Sequence, residues 1–126
     1  MFSSVHHLGY RVENLDKAIA LYEDGFGGRV LLRQAVPGGG EVAFVVTGGT
    51  MVELIAPADN ADLMGKGQVF DHVGYTVADI EAAMGDLRAK GLSFAEEMPR
   101  VNIAGWKLAF LDKESAQGAR IHLTEA

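Results

Sequence analysis

The stretch HLGYRVENLDKAI at residues 7–19 recurs as HVGYTVADIEAAM at residues 72–84. The two copies share His, Gly, Tyr, Val and Ala at a constant offset of 65, and most of the other pairs are conservative. Because a fixed offset between similar segments indicates repeated structural units, the sequence predicts two copies of one module.

Each copy reads as a strand followed by a helix. Leu8, Tyr10 and Val12 alternate with other residues in copy one, as in a strand with one apolar face. A helix N-cap follows, Asn14 in copy one and Asp79 in copy two, ahead of apolar residues at helical spacing. Glycine then ends each predicted helix, at Gly25 or Gly27 in copy one and at Gly91 in copy two.

Three further strands complete each copy in the order βαβββ, with turn signals between them. They are predicted at residues 29–34, 42–46 and 51–55, and at residues 93–95, 107–111 and 120–124. The predicted fold class is α+β, with the two βαβββ modules forming a cupped, mixed and antiparallel sheet around a metal site. We expect one domain over residues 1–126, with module one at 4–57, a linker at 58–69 and module two at 70–126.

The composition excludes several classes of protein. The chain has no cysteine, so any metal must be held by nitrogen and oxygen donors. A net charge of -6 without a basic patch argues against nucleic acid as a partner, and no apolar run reaches the roughly 20 residues of a membrane-spanning helix. Since the N-terminus does not resemble a secretory signal, we expect a cytoplasmic location.

Four polar residues interrupt the apolar strands: His7, Glu53, His72 and His122. An isolated polar side chain buried there costs about 1–3 kcal/mol, so a compensating partner is required. Residues 49–55 align with residues 118–124, which makes Glu53 and His122 equivalent. Each histidine taken alone is more often a hydrogen-bonded structural residue than a ligand. If the copies pair about a pseudo-two-fold axis, however, all four donors meet at one divalent ion of Mn, Fe, Co, Ni or Zn.

Other residues are weaker candidates. His6 points away from the face of His7 in a strand, so we expect it to be structural. Trp106, Phe44 and Phe110 are candidates to line a pocket, although aromatic residues in short strands are more often part of the core. Arg100 is a candidate to bind a substrate carboxylate or phosphate, although a solvated loop charge is the commoner case.

At these residues the chain resembles the vicinal oxygen chelate superfamily of glyoxalases, extradiol dioxygenases, resistance proteins and epimerases. It is most similar to the epimerase branch, through residues 6–27, 48–57, 71–100 and 105–123. In the epimerase and glyoxalase branches, the residue that matches His122 is typically a glutamate that binds metal and can act as a base. The stretch that carries a second catalytic glutamate in the epimerases matches residues 36–41, where Glu41 is the nearest carboxylate.

The resemblance implies a metal-dependent isomerase, epimerase or glyoxalase-type lyase that acts through an enolate on a small carbonyl or acyl-CoA substrate. The metal would be held by His7, Glu53, His72 and His122, and the candidate catalytic bases are His122 and Glu41. One carboxylate and three neutral imidazoles leave the ion with a net positive charge, which favours anionic bidentate ligands. The alternatives are a non-haem Fe(II) extradiol-type dioxygenase and a small-molecule binding or resistance protein. We expect a homodimer.

Overall fold

A computed structural model describes all 126 residues, which form two compact units. One unit comprises residues 7–71, and the other comprises residues 1–6 and 72–126. Strand β1 (Ser4–Val12) and strand β5 (Gln68–Thr76) each contribute residues to both units. The division into a module at 4–57, a linker and a module at 70–126 within one domain stays a prediction.

The unit of residues 7–71 is a sheet with one helix on its face. After β1 come α1 (Leu15–Ala20), β2 (Arg29–Ala35), β3 (Glu41–Thr47) and β4 (Thr50–Ala56). The strands lie in the order β2-β3-β4-β1, antiparallel except that β1 runs parallel to β4. The apolar stripe of α1 packs on buried sheet residues, which form one core: Val12, Leu15, Ala18, Ile19, Tyr22, Ala43, Val45, Val52 and Leu54.

Both ends of α1 show how local chemistry shapes it. The Asn14 side chain accepts a hydrogen bond from the Lys17 backbone N–H at 3.0 Å, which confirms the predicted N-cap. The helix then continues as a π-helical turn over Leu21–Gly25, which the sequence pattern did not predict. Tyr22 in this turn is buried, and its hydroxyl donates to Gln68 Oε1 at 3.0 Å.

The unit of residues 1–6 and 72–126 has the same order of elements. After β5 come α2 (Ile80–Ala89), β6 (Arg100–Val101), β7 (Lys107–Phe110) and β8 (Ile121–Glu125). The strands lie in the order β5-β8-β7-β6, with β8 parallel to β5. The Asp79 side chain caps α2 by accepting from the Ala82 N–H at 3.0 Å. The predicted α+β class, with βαβββ order in each half, is confirmed.

No helix has the length and apolar character needed to cross a membrane.

The strand predicted at residues 93–95 is reduced to an isolated bridge between Phe94 and Leu111. The Ala95 N–H donates to the Phe110 carbonyl at 2.9 Å, and the Asp112 N–H donates to the Ser93 carbonyl at 3.0 Å. The pairing extends no further, and the short strand β6 follows later.

Candidate metal centre

His7 and Glu53 form a close pair in the unit of residues 7–71. His7 is only 1% exposed, and its Nε2 atom lies 3.6 Å from Glu53 Oε1. In the parallel register of β1 and β4, Gly9 lies opposite Glu53, and its missing side chain leaves room beside the carboxylate. On the other side of β4, Phe44 lies opposite Glu53 and meets the His7 ring edge-on, with ring centroids 6.2 Å apart.

Strand alternation explains why Glu53 is not in the apolar core. Val52 and Leu54 belong to the core that packs on α1, so Glu53 projects from the opposite face of β4. The Glu53 side chain is partly accessible, at 16% exposed.

His72 and His122 form the corresponding pair in the other unit. They are 4% and 1% exposed, and their ring centroids are 5.1 Å apart at an interplanar angle of 39°. Gly74 on β5 lies opposite His122. Phe110 on β7 lies on its other side, with ring centroids 4.8 Å apart. The glycine and the phenylalanine thus flank His122 as their counterparts flank Glu53.

The His122 ring is oriented through its Nδ1 atom, which lies 3.1 Å from the Leu123 carbonyl oxygen and 3.0 Å from Thr124 Oγ1. An Nδ1–H that donates to the carbonyl leaves the Nε2 lone pair available to a metal. Burial lowers the pKa of His122 to about 4. The hydrogen bond to the Leu123 carbonyl opposes this shift, and the positive charges of His72, His6 and Arg100 add to it. The imidazole is therefore neutral near pH 7, which is the form that binds metal ions.

The donors fit a divalent metal ion in type and in spacing. Two ligands that each lie about 2.1 Å from an ion are separated by about 3 to 4 Å in neighbouring coordination positions, and the His7–Glu53 separation is 3.6 Å. Imidazole and carboxylate suit Mn, Fe, Co, Ni or Zn. The structure brings together His7 with Glu53 and His72 with His122. That both pairs hold one shared ion stays a prediction.

Glu41, the other predicted catalytic residue, is held in an ion pair. Arg33 Nε donates to Glu41 Oε2 at 3.1 Å and Arg33 Nη2 to Oε1 at 3.3 Å, while Nη1 donates to Asp16 Oδ1 at 2.7 Å. Glu41 and Ala43 are two residues apart on β3, so their side chains project from the same face of the strand. Ala43 belongs to the core, so Glu41 lies on the opposite face of β3 from Phe44. The structure therefore does not bring Glu41 to Glu53, and its role as a base stays a prediction.

His6 and Thr124 are close in sequence to candidate ligands. His6 meets the Trp106 ring edge-on at a centroid distance of 4.4 Å, and burial lowers the pKa of His6. This contact agrees with the structural role expected for His6. The sequence did not identify Thr124 as a functional residue, although it is fully buried and its Oγ1 atom is hydrogen-bonded to His122 Nδ1. Its spacing of two residues from His122 was the signal that could have identified it.

The chain is similar to known proteins over nearly its whole length. The model of the Glyoxalase/Bleomycin resistance protein/Dioxygenase superfamily matches residues 6–110. The human mitochondrial methylmalonyl-CoA epimerase is 29% identical, over 97% of this chain and 73% of that protein. The crystal structure of methylmalonyl-CoA epimerase from Mycobacterium tuberculosis is 25% identical with a TM-score of 0.86, over 98% of this chain and 88% of that chain.

A third relative shares the fold. A Streptomyces coelicolor methylmalonyl-CoA epimerase variant in complex with 2-nitronate-propionyl-CoA is 21% identical with a TM-score of 0.83. The match covers 100% of this chain and 99% of that chain.

Proposed function

Because the chain belongs to the Glyoxalase/Bleomycin resistance protein/Dioxygenase superfamily, we propose that it is a metal-dependent epimerase or isomerase acting on a small carbonyl or acyl-CoA compound. One observation carries the proposal: each unit holds a pair of metal donors at the matching place, His7 with Glu53 and His72 with His122. The relatives named methylmalonyl-CoA epimerase support this reaction class. The neighbour bound to 2-nitronate-propionyl-CoA supports an acyl-CoA substrate.

His7, Glu53, His72 and His122 would together hold the metal ion. When bound, a divalent ion would supply Lewis-acid chemistry at the substrate carbonyl. Glu53 is the only negatively charged donor of the four, so the set leaves a net positive charge that favours the negative charge developing on the carbonyl oxygen.

The surrounding residues orient the donors and provide apolar neighbours. The Leu123 carbonyl and Thr124 fix the His122 ring through Nδ1, as partners of metal-binding histidines commonly do. Phe44 and Phe110 lie opposite Glu53 and His122 on the neighbouring strands, and apolar neighbours of this kind strengthen electrostatic interactions by lowering the local dielectric constant.

The proton of the substrate α-carbon must pass to a base. A pKa of about 4 makes His122 a weak base, which suits a ligand better than a proton acceptor. Glu41 is the predicted alternative, and it would have to leave Arg33 before taking up a proton.

The test is exchange of the substrate α-proton with solvent deuterium, followed by proton NMR. The panel contains methylmalonyl-CoA, other 2-substituted acyl-CoA esters and 2-oxo acids. We expect exchange with protein reconstituted with one of the five metals, none after chelation, and loss in His7→Ala and His122→Ala. His6→Ala is the matched control that keeps the activity. Absence of exchange across the panel by protein that binds one metal ion per chain would contradict the proposal.

The same preparations separate the alternatives. Oxygen uptake with Fe(II) and a catechol would instead support the dioxygenase, because a carboxylate with histidines and open positions activates O₂ on iron. Binding of small aromatic compounds without metal affinity would support a binding or resistance protein. The expected homodimer is tested by sedimentation equilibrium.

A further inference from the structure

A cavity of about 450 Å³ lies beside Phe110, in the unit of residues 1–6 and 72–126. We call it the Phe110 cavity, and its lining includes Glu96, Arg100, Phe110, Lys113 and Arg120. Its volume lies within the range of small-molecule sites. We propose that the Phe110 cavity binds an anionic group, a phosphate or a carboxylate, carried by the substrate of the metal centre. The assignment to that substrate rests on the proposed function.

Two guanidinium groups converge on one ring in this cavity. The Cζ atom of Arg120 lies 5.0 Å from the Phe110 ring centroid, and that of Arg100 lies 5.8 Å from the same centroid. Both distances are typical of cation–π contacts. The contacts place the two positive charges at the same ring.

The charge of the cavity is opposite to that of the protein. Arg100, Lys113 and Arg120 contribute three positive charges, and Glu96 is the only acidic residue in the lining. The cavity therefore carries a net charge of two positive units in a chain whose net charge is -6. Guanidinium groups bind phosphate and carboxylate through paired N–H donors, so this excess of positive charge points to an oxyanion.

The negative charge of Glu96 does not cancel the preference of the cavity for an oxyanion. Its Oε1 atom lies 3.7 Å from Arg100 Nε, an ion pair that holds Arg100 at the wall. Its Oε2 atom is buried without a hydrogen-bond partner. The Arg100 side chain is still 57% exposed, so it remains accessible to a ligand.

Phe110 connects the cavity with the candidate metal centre. Its ring centroid lies 4.8 Å from the His122 ring and 5.0 Å from Arg120 Cζ, so that the guanidinium and the imidazole are at most about 10 Å apart. A substrate whose reacting carbonyl lies near His122 can therefore place an anionic group in the Phe110 cavity, several bonds away from that carbonyl.

The binding test uses the full, metal-free chain and follows the Arg Nε–H signals by NMR. Inorganic phosphate and acetate are titrated separately at constant ionic strength. We expect saturable shifts at Arg100 and Arg120, about tenfold weaker binding in Arg120→Gln, and tighter binding in Glu96→Gln, because the first removes a positive charge and the second a negative one. Lys90→Gln, at an exposed lysine after α2 and outside the cavity lining, is the matched control.

The two probes identify the ligand chemistry. Tighter binding of phosphate indicates a phosphorylated substrate, and tighter binding of acetate indicates a carboxylate. Shifts that do not saturate, or an Arg120→Gln protein that binds both anions as the Lys90→Gln protein does, would overturn the proposal.

Kinetics then test the link with the metal centre. With any substrate that shows deuterium exchange, Arg120→Gln should raise KM about tenfold and change kcat less than about threefold, because the contact is remote from the reacting carbon. An unchanged KM would overturn the assignment to the substrate. Anion binding in the metal-free chain without any exchange activity would support the cavity and contradict only the proposed function.

Discussion

Glu53 and His122 occupy equivalent positions in the two units. Each lies opposite a glycine that follows a buried histidine by two residues on the parallel strand. Each also lies opposite a phenylalanine on the antiparallel strand, Phe44 beside Glu53 and Phe110 beside His122. The duplicated architecture therefore presents a carboxylate in one copy and an imidazole in the other, and this difference sets the charge of the proposed centre.

Replacing that imidazole with a carboxylate should neutralise the centre. In His122→Glu we expect the metal to bind about tenfold more tightly and an anionic bidentate ligand, oxalate, to bind about tenfold more weakly, because the second carboxylate cancels the remaining charge. Calorimetric titration with Mn²⁺ and then oxalate measures both. Glu53→Gln changes the charge in the opposite direction and should weaken metal binding. Unchanged oxalate affinity in His122→Glu would contradict the assignment of this position as a ligand.

Two adjacent histidines provide a matched test of the ligand set. His7→Ala removes a donor that lies 3.6 Å from Glu53, so its metal affinity should fall by more than about 100-fold, beyond the loss typical of residues that only orient ligands. His6→Ala, which loses the contact with Trp106, should retain the parent affinity. Metal content by mass spectrometry and affinity by competition with a chelator give the comparison. Equal losses in the two variants would argue for a general effect on folding.

Thr124 should act by positioning His122. Thr124→Val removes the hydroxyl that lies 3.0 Å from His122 Nδ1, so we expect about 1 kcal/mol lower free energy of unfolding and about tenfold weaker metal binding. Thr124→Ser keeps the hydroxyl and should restore the metal affinity. Chemical denaturation and metal titration measure the two effects. If the Ser variant binds metal as weakly as the Val variant, the hydroxyl has no positioning role.

The stability of the metal-free protein should fall with decreasing pH. The folded-state pKa of His122 is about 4, below the ordinary value of about 6.5 in an unfolded chain. Between these values the unfolded state binds more protons, so acidification favours unfolding. His122 alone should therefore lower the free energy of unfolding by about 3 kcal/mol from pH 7.5 to below pH 4. Urea titrations of parent and His122→Gln, whose side chain does not titrate, isolate this contribution. If the free energy of unfolding depends on pH in the same way in both proteins, the predicted contribution of His122 is contradicted.

Glu41 and Arg33 provide a matched pair for the predicted base. The ion pair lies on the α1 side of β3 and is partly exposed. We therefore expect Glu41→Gln and Arg33→Gln each to lower the free energy of unfolding by less than about 1 kcal/mol. Deuterium exchange within about threefold of the parent in both variants would contradict the role of Glu41 as the base. A loss of exchange greater than about 100-fold in Glu41→Gln alone would show instead that Glu41 moves the substrate proton.

Several features were determined by the sequence because they depend on residues close together in the chain. The repeat predicted both βαβββ modules, and the N-caps at Asn14 and Asp79 bond backbone groups three residues away. Strand alternation accounts for the face of β4 that carries Glu53. Such patterns have a fixed period along the chain, so they can be read without knowing what lies opposite.

The tertiary structure decided the features that depend on distant residues. The segment predicted as a strand at residues 93–95 pairs only through the bridge between Phe94 and Leu111, and Glu41 is paired with Arg33, which also binds Asp16. The basic side chains that line the Phe110 cavity likewise come from separate loops and strand ends. These partners are chosen by packing and by the need to satisfy buried or paired polar groups, and residues separated by many positions meet only once the sheets have formed.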